Sequence, residues 1–507
     1  MVQYSDYQKA IFAAINNGSN NIIVNAVAGS GKTFTIVSAC KMLKQSPMDV
    51  KFLAFNKAIA DELKVKLNGY ADVSTLHSFG FSALKKVFRN NIIVEPNKVS
   101  KMLKTAIYSL SDSITIDTSK SDINACCSNV IKIYNLCRVN LIQSADIASI
   151  TAIVKEHCIE CFFDEVNIVS KMLADAYVMP SNGIIDYTDM VVLPLTYSKF
   201  VPTYKFVFVD ECQDLNRAQR ELMLLAAKGG RFIAVGDPKQ AINGFAGADC
   251  DSFRKIAELP NTIELPLSVN YRCGKKMIDL AKTLVPQIEA HDGAIDGDVH
   301  SIIDINADTF KPNDMVLCRT SAPLVMMCLK LITNGITAIV KGGDIAQTLK
   351  SLVDRAKTTD IDSLLDYLER EKSKLAKAIV REQKCTMEEA TSCGRYNSFT
   401  DKCKCISNIA DYCANTEEVK AYIDRLFTDY NVRNAVVFST CHKSKGLESD
   451  RVLILLPHKL PLVWKGQLDW QYEQETNLKY VALTRAKKEL VFVQMEEEEL
   501  KTASLRK

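Results

Sequence analysis

Short unbroken apolar runs alternate along this chain with longer segments in which apolar residues recur every three or four positions. The first pattern predicts strands covered on both faces, the second amphipathic helices. Ser5–Ile15 reads as a helix capped by Ser5 or Asp6, Asn21–Val24 (NIIV) as a strand, and Phe34 to Lys44 as a second helix. Lys51–Phe55 follows as a strand, Asn56–Leu67 as a helix and Ala71–Thr75 as a third strand. Lys205–Val209 and Phe232–Val235 continue the series after a long interval. That interval, residues 90–195, lacks a turn–strand rhythm and shows helical spacing over Val99–Ser109, Cys126–Val139 and Ile150–Phe163. The second half repeats the arrangement. Asp314–Cys318, Ala338–Val340, Ala435–Thr440, Arg451–Leu456 and Leu490–Val493 read as strands, Pro323–Asn334 and Thr476–Lys487 as helices. Residues 346–431 form a second mainly helical stretch, clearest over Ile361–Glu382.

With 507 residues the chain is too long for one core and should hold two or more domains. A net charge of +3 means that any nucleic-acid surface must be a local basic channel. The N-terminus lacks a basic start followed by an apolar run, and no apolar stretch is long enough to span a bilayer, so no membrane partner is expected. The 17 scattered cysteines read as reduced thiols of an intracellular protein, cytoplasmic, or nuclear in a eukaryote. His157, Cys158 and Cys161 form one group, and Cys385, Cys393, Cys403, Cys405 and Cys413 another; neither matches a common zinc spacing.

The chemistry concentrates in Asn25–Thr33, NAVAGSGKT, between the first strand and the second helix. Gly29 and Gly31 allow a turn in which backbone N–H groups from Ala28 to Thr33, Ser30 among them, point at phosphate oxygens. The helix that follows adds its positive end. Lys32 would reach the β- and γ-phosphates and Thr33 would hold a magnesium ion, although Ala26 stands where the general pattern has glycine. Asp210 and Glu211 end a buried strand; Asp210 suits the same metal, and Glu211 suits activation of a water. A nucleoside triphosphate and Mg2+ are therefore the expected cofactors, the nucleotide being ATP by the resemblance described next. Other candidates are open on residue type alone: Gln8 for an adenine edge, Gln240 for a terminal phosphate, and Phe55, His77 and Phe245 for contact or stacking. His442, Lys443 and Lys445 lie in a polar loop able to follow a phosphate backbone.

Taken in order, the blocks QKA, AVAGSGKT, LAFNKAIADEL, STLHSF, DYTDM, VDECQD, VGDPKQAINGFAGAD, VNYR, TCHKSKGLE and YVALTRAK resemble those of superfamily 1 DNA helicases of the UvrD/Rep/PcrA type. They run from Gln8 to Lys487, and LAFNKAIADEL with STLHSF is similar to the F-box DNA helicase branch and its compact viral and bacterial relatives. The resemblance implies an α/β protein with two RecA-like P-loop domains, parallel sheets flanked by helices, each with a mainly helical insertion. The implied division is 1–88 and 196–268 for the first motor domain, 89–195 for its insertion, 269–345 and 432–507 for the second, and 346–431 for a reduced accessory insertion. It further implies that Gln8 reads adenine, Tyr271 stacks on it, and Phe34 stands where several relatives carry an arginine near the adenine. Arg272 and Arg485 would reach the γ-phosphate, Gly446 and Glu448 would contact the nucleotide, and Phe55, Asn56, His77, Phe245, Thr440 and His442 would touch DNA.

The implied activity is ATP-driven, 3′-to-5′ travel on single-stranded DNA with unwinding of tailed duplexes, alongside replication or recombination proteins. An RNA helicase of the same superfamily and an ATP-gated DNA-binding scaffold are the alternatives. Nucleotide and DNA candidates are expected to alternate along the same strand ends.

Overall fold

The computed structural model describes residues 3–89, 91–110, 120–142, 146–157, 159, 163–244, 249, 251–428, 430, 432–464 and 466–502. Phe245, Cys158 and Cys161 lie outside the described residues. The chain forms two compact units, Met1–Ala26 with Gly31–Leu267, and Val27–Ser30 with Ser268–Lys507.

The first unit is built on strands β1 (Asn21–Ala26), β2 (Val50–Ala54), β3 (Asp72–Thr75), β4 (Phe206–Val209), β5 (Arg231–Gly236) and β6 (Thr262–Leu267). They lie in the order β3-β2-β4-β5-β1-β6, and every pairing is parallel. Ile22, Val24, Phe52, Phe208, Ile233 and Val235 pack on one face of this sheet. Their alternates Ile23, Leu53, Val207, Val209 and Ala234 pack on the other. Burial on both faces is why these strands appear in the sequence as unbroken apolar runs. The edge strands are the exceptions: β3 pairs with β2 and is half-exposed, and β6 is the other. It sits at the sheet edge, pairs only with β1, and carries Glu264 and Pro266 among half-exposed positions, so its sequence shows no such run.

The second unit has strands β7 (Asp298–Ile302), β8 (Met315–Cys318), β9 (Ala338–Val340), β10 (Val436–Thr440), β11 (Ser449–Leu455) and β12 (Ala486–Val493), in the order β7-β12-β11-β8-β10-β9, again all parallel. Edge strand β7 is likewise half-exposed and silent in the hydrophobic pattern. These are α/β units with parallel sheets flanked by helices.

Several boundaries differ from the sequence reading. The helix expected over Ile150–Phe163 runs from Ile147 to Glu156, because Asp146 accepts from the N–H groups of Ala148 and Ser149 and starts it early, and a separate helix begins at Phe163. The helix expected over Thr476–Lys487 is Asp469–Leu483. The Thr484 hydroxyl bonds back to the carbonyls of Tyr480 and Val481, and Ala486 already pairs with Ser449 as strand β12. Arg485 is therefore a junction residue between helix and strand. The interval expected to be helical also holds two short paired strands, Ile93–Val94 and Ile184–Ile185.

The two helical insertions differ in how they are packed. Helices Lys98–Ser109, Lys120–Val139, Ile147–Glu156 and Phe163–Ala174 enclose a core of their own, with Leu103, Ile133, Tyr134, Ile150 and Ile168 at its centre. In the second unit, helices Ile361–Gln383, Gly394–Ala410 and Thr416–Leu426 contribute Leu364, Leu368, Cys405, Ile406 and Ile423 to the same cluster as Val316, Phe438 and Leu453 of the sheet. Cys403 and Cys405 are thus apolar packing groups. Among the described residues no helix is long and apolar enough to cross a membrane.

Candidate functional site

Strands β4, β5 and β1 are neighbours in the first sheet, and their carboxyl ends carry the acids and the phosphate-loop candidates. After β1 the chain turns through Gly29 (φ 65°) and Gly31 (φ 76°) into the helix Lys32–Met42, a left-handed path that glycine takes without strain. Ala28 is buried, and the Ser30 hydroxyl donates to the Val27 carbonyl (2.8 Å), which pins the loop from inside.

At this edge Thr33 Oγ1 donates to Asp210 Oδ2 (2.7 Å), and Lys32 Nζ lies 3.2 Å from Glu211 Oε1. Glu211 adopts φ 54°, a conformation costly for a side-chain-bearing residue. Its N–H donates to Asp210 Oδ1 (2.9 Å), and its carboxylate accepts from Gln213 Nε2 (2.5 Å). Burial first, then the Glu211 charge, pushes the Asp210 carboxyl up to about 6. Burial opposes the charge of Lys32, but Glu211, Asp237 and Asp210 outweigh it and raise its pKa. The hard-oxygen pair of Thr33 and Asp210 suits a magnesium ion, whose positive charge would offset a buried carboxylate.

Asp237 is a site residue to which the sequence reading assigned no role. It follows β5 as Asp210 follows β4, is buried, and is pushed up to about 6 by that burial. It accepts from Gln240 Nε2 (2.7 Å) and Lys239 N (3.0 Å), so Gln240 is tied to the acid edge through it. Gln213 Oε1 accepts from Asp237 N (3.1 Å), joining the two strand ends. The signal was available: a carboxylate closing a wholly buried strand has the same character as Asp210.

The other half of this edge belongs to β2 and β3, whose last residues Ala54 and Thr75 are register partners. Phe55, Asn56 and His77 follow directly, so the structure brings these three candidates to one stretch of the edge, next to the acids, since Leu53 of β2 is the register partner of Val209 just before Asp210. Asn56 Oδ1 accepts from Ile59 N (2.9 Å) and caps the next helix, while burial lowers the pKa of His77. Gln8 is buried on the first helix, and Phe34 is exposed on the second.

In the second unit the candidates separate, contrary to the expectation of a shared edge. Thr440 pairs with Cys318 at the carboxyl end of β10, and His442 follows it. Burial, with Arg319 and Lys443 nearby, pulls His442 down to about 3, so it is neutral at physiological pH. Glu448 and Arg485 immediately precede Ser449 and Ala486, partners at the amino ends of β11 and β12. The reason is topological: β10 and β11 are both parallel to β8, so residues 441–448 must cross back from one edge to the other.

At that amino edge Arg272 Nε meets Glu448 Oε2 (2.6 Å) and Lys487 Nζ meets Glu448 Oε1 (2.6 Å). Burial works to raise Glu448, but Lys487 and Arg272 hold its carboxyl below the ordinary range. Arg485 is 1% exposed and donates to the carbonyls of Val481 (2.8 Å) and Leu447 (3.0 Å). Burial, then the Arg272 charge, brings its pKa to about 10. Tyr271 is 45% exposed and stacks on His291 with centroids 5.4 Å apart, and Gly446 turns the preceding loop at φ 86°.

Comparison with known proteins places this geometry. The model of the UvrD/REP helicase N-terminal domain matches residues 7–260, and that of the UvrD-like helicase C-terminal domain matches residues 425–497. The chain is similar to F-box DNA helicase protein 1 of Schizosaccharomyces pombe, 23% identical over 529 residues that cover 96% of this chain and 56% of the relative. It is similar to ATP-dependent DNA helicase Rep of Buchnera aphidicola, 25% identical over 309 residues, 56% of this chain and 43% of the relative. ATP-dependent DNA helicase PcrA of Staphylococcus aureus is 26% identical over 306 residues, 54% and 39% respectively. The chain spans about half the length of the curated relatives it matches. With half of its residues matched by the N-terminal model and a second stretch by the C-terminal one, the chain belongs to the UvrD/REP helicase family.

Proposed function

We propose that this protein is an ATP-dependent DNA helicase, a translocase that moves 3′-to-5′ on single-stranded DNA and unwinds tailed duplexes in replication, repair or recombination. The observation that carries the reading is the convergence of Lys32, Thr33, Asp210, Glu211 and Asp237 at the ends of three neighbouring strands. In it, residues 1–88 and 196–268 form the first motor domain and 89–195 its insertion. Residues 269–345 and 432–507 form the second, and 346–431 its accessory insertion.

The loop from Gly29 to Thr33 holds the phosphates through its N–H groups, while the Ala28 N–H donates to the Tyr480 hydroxyl (2.8 Å), and Lys32 exchanges its Glu211 partner for a phosphate oxygen. Thr33 and Asp210 would hold a magnesium ion, which would supply positive charge to phosphate oxygens. Glu211, released from Lys32, accepts the proton of the attacking water, and Gln240 monitors the terminal phosphate through its tie to Asp237. Arg272 and Arg485 stabilise the charge that develops there, with Gly446 and Glu448 as further nucleotide contacts. Gln8 and Tyr271 hold the base. Phe55, Asn56, His77, Phe245, Thr440 and His442 hold the DNA strand.

ATP hydrolysis measured with and without single-stranded DNA, and strand displacement on duplexes tailed at either end, test the reading. Stimulation by DNA and displacement only from a 3′ tail are the expected results. Lys32→Ala should lower hydrolysis by about 10³-fold. Stimulation by RNA instead of DNA would move the assignment to an RNA helicase, and binding of DNA without any displacement would make the protein a scaffold.

A further inference from the structure

Glu211, the residue that would take the proton of the attacking water, stands at φ 54°, a conformation its own backbone resists. Its carboxylate must be held in place from outside. Lys32 does so at 3.2 Å from Glu211 Oε1, and on the reading above it then leaves for a phosphate oxygen. Gln213 stays. Its Nε2 donates to Glu211 Oε2 (2.5 Å) and to Asp214 Oδ2 (3.2 Å), and its Oε1 accepts from Asp237 N (3.1 Å).

These three partners settle which way the amide faces, because a flip would aim its oxygen at two carboxylates and its NH2 at an N–H. The side chain is buried against the end of β5, where a Cβ added at Gly236 would sit 2.5 Å from Gln213 Oε1. Asp214 anchors the far side of the arrangement. It is 4% exposed, and a carboxylate so buried needs donors. Beside Gln213 it accepts at its other oxygen from Asn243 Nδ2 (3.0 Å). Asn243 comes after Asp237 in the chain and directly follows buried Ala241 and Ile242. Further on, the Ser252 hydroxyl donates to the Cys212 carbonyl (3.0 Å), so the chain after β5 is tied at two points to the chain after β4.

We propose that Asn243 is a positioning residue for hydrolysis: it fixes Asp214, Asp214 orients the Gln213 amide, and that amide aims Glu211 at the attacking water. The inference rests on the nucleotide-hydrolysing reading above and adds three positioning side chains to it. Without the Asn243 amide, Asp214 is short of a donor and draws more fully on the N–H groups of Gln213, which turns away from Glu211. The ties of the phosphate loop, Ser30 to Val27 and Thr33 to Asp210, involve none of the three. The loss therefore falls on the chemical step and spares nucleotide affinity.

Steady-state ATP hydrolysis by the full chain, with calorimetric ADP affinity and melting curves, decides the matter. Asn243→Ala should lower kcat by about 10- to 100-fold, while KM and ADP affinity stay within about twofold. Asn243→Asp sets a second carboxylate against Asp214 and should lose at least as much. Asp214→Asn alone should lose about tenfold. Combining Asp214→Asn with Asn243→Asp exchanges donor and acceptor, since the new amide can accept from Gln213 and donate to the new carboxylate. This double exchange should return kcat to within about fivefold of the parent, above either single variant, a recovery that a merely structural loss would not give. Gly236→Ala, which crowds Gln213 Oε1 from the other strand end, should repeat the loss in kcat. An unchanged kcat in Asn243→Ala overturns the proposal, and so does a double exchange no better than its worse single variant. Should Asn243→Ala fail to fold, the double exchange and Gly236→Ala decide. A parent chain that hydrolyses no ATP overturns the hydrolytic reading and the proposal with it, a result distinct from the others.

Discussion

The insertion of the first unit and that of the second are both helical and similarly placed within their domains, yet they are joined to their sheets by different physics. The first encloses its own apolar core, and a buried charge cluster ties its helices to Asp186 and the helix Asp189–Thr196, whose Val191 and Val192 lie in the core of the first sheet. Lys98, fully buried, pairs with Asp189 and lies 3.5 Å from Asp186, and Arg138 donates to Asp189 Oδ1 (2.8 Å) and to the Tyr134 hydroxyl (3.0 Å). In the second, Leu364, Leu368 and Ile406 belong to the cluster that covers its sheet. One of its polar ties is a cap, Asp401 accepting from the N–H groups of Ser321 and Ala322, each at 2.9 Å. Separate cores permit separate opening, whereas a shared core makes insertion and sheet one cooperative unit. The first insertion is therefore the one expected to open separately from its sheet, and the second is expected to open together with its own.

The comparison breaks most visibly at Asp189. Asp189→Ala leaves Lys98 and Arg138 buried without their shared carboxylate, a loss of about 3–5 kcal/mol. Because the insertion keeps its own core, hydrogen exchange should accelerate at the seam and in the helix Asp189–Thr196 while the helices of residues 98–174 and strands β1 and β4 stay protected. Uniform acceleration across the first unit would show that the cores are not independent.

Ile406→Ala is the counterpart in the second unit. Removing a fully buried side chain from the shared cluster should cost about 2–5 kcal/mol, with a single unfolding transition in which the helices of residues 343–426 and strands β8 and β10 lose protection together. Loss of protection in the helices alone would place a boundary where the structure shows none. A smaller effect is expected at Gly80, where the helix Leu76–Val87 crosses Asp189–Thr196 so closely that an added Cβ would sit 1.9 Å from the Met190 carbonyl. Gly80→Ala should destabilise the first unit by about 1–3 kcal/mol in urea melts, and no change would mean that the seam yields easily.

How much of this could be read beforehand follows the same division. Strands covered on both faces, such as Phe206–Val209, announce themselves as apolar runs, and the acids that follow them are conspicuous for that reason. Edge strands β6 and β7 do not, since half of each faces away from the core. The Lys32, Thr33, Asp210 and Glu211 quartet is legible because two strand ends position it: Asp210 and Glu211 follow β4 directly, and Lys32 and Thr33 open the helix reached by the loop after β1. Asp237 lay in plain view but carries meaning only once β5 is known to neighbour β1. The two edges of the second sheet were not legible, because register, not residue type, decides at which end Thr440 or Glu448 lies. Nor can spacing show that Cys405 and Val316 share a core.

The finest test of the comparison concerns the cap at Asp401. Burial pushes its carboxyl above the ordinary range even though the two N–H bonds pull it down. A carboxyl raised in the folded state binds its proton more tightly there than in the unfolded chain. Stability therefore increases as pH falls through the folded pKa towards about 4, and is lower at neutral pH. Asparagine keeps an acceptor for the cap and carries no charge to bury. Asp401→Asn should thus lie within about 0.5 kcal/mol of the parent at pH 7, and the parent should gain on it as pH is lowered to about 5. Asp401→Ala, which leaves both N–H groups without the side chain, should lose about 1–2 kcal/mol at either pH. Urea melts of the three proteins at the two pH values measure these differences. If the alanine variant matched the asparagine one, the cap would contribute nothing to the joint, and the shared core with contacts such as Lys404–Glu497 would hold the second insertion in place.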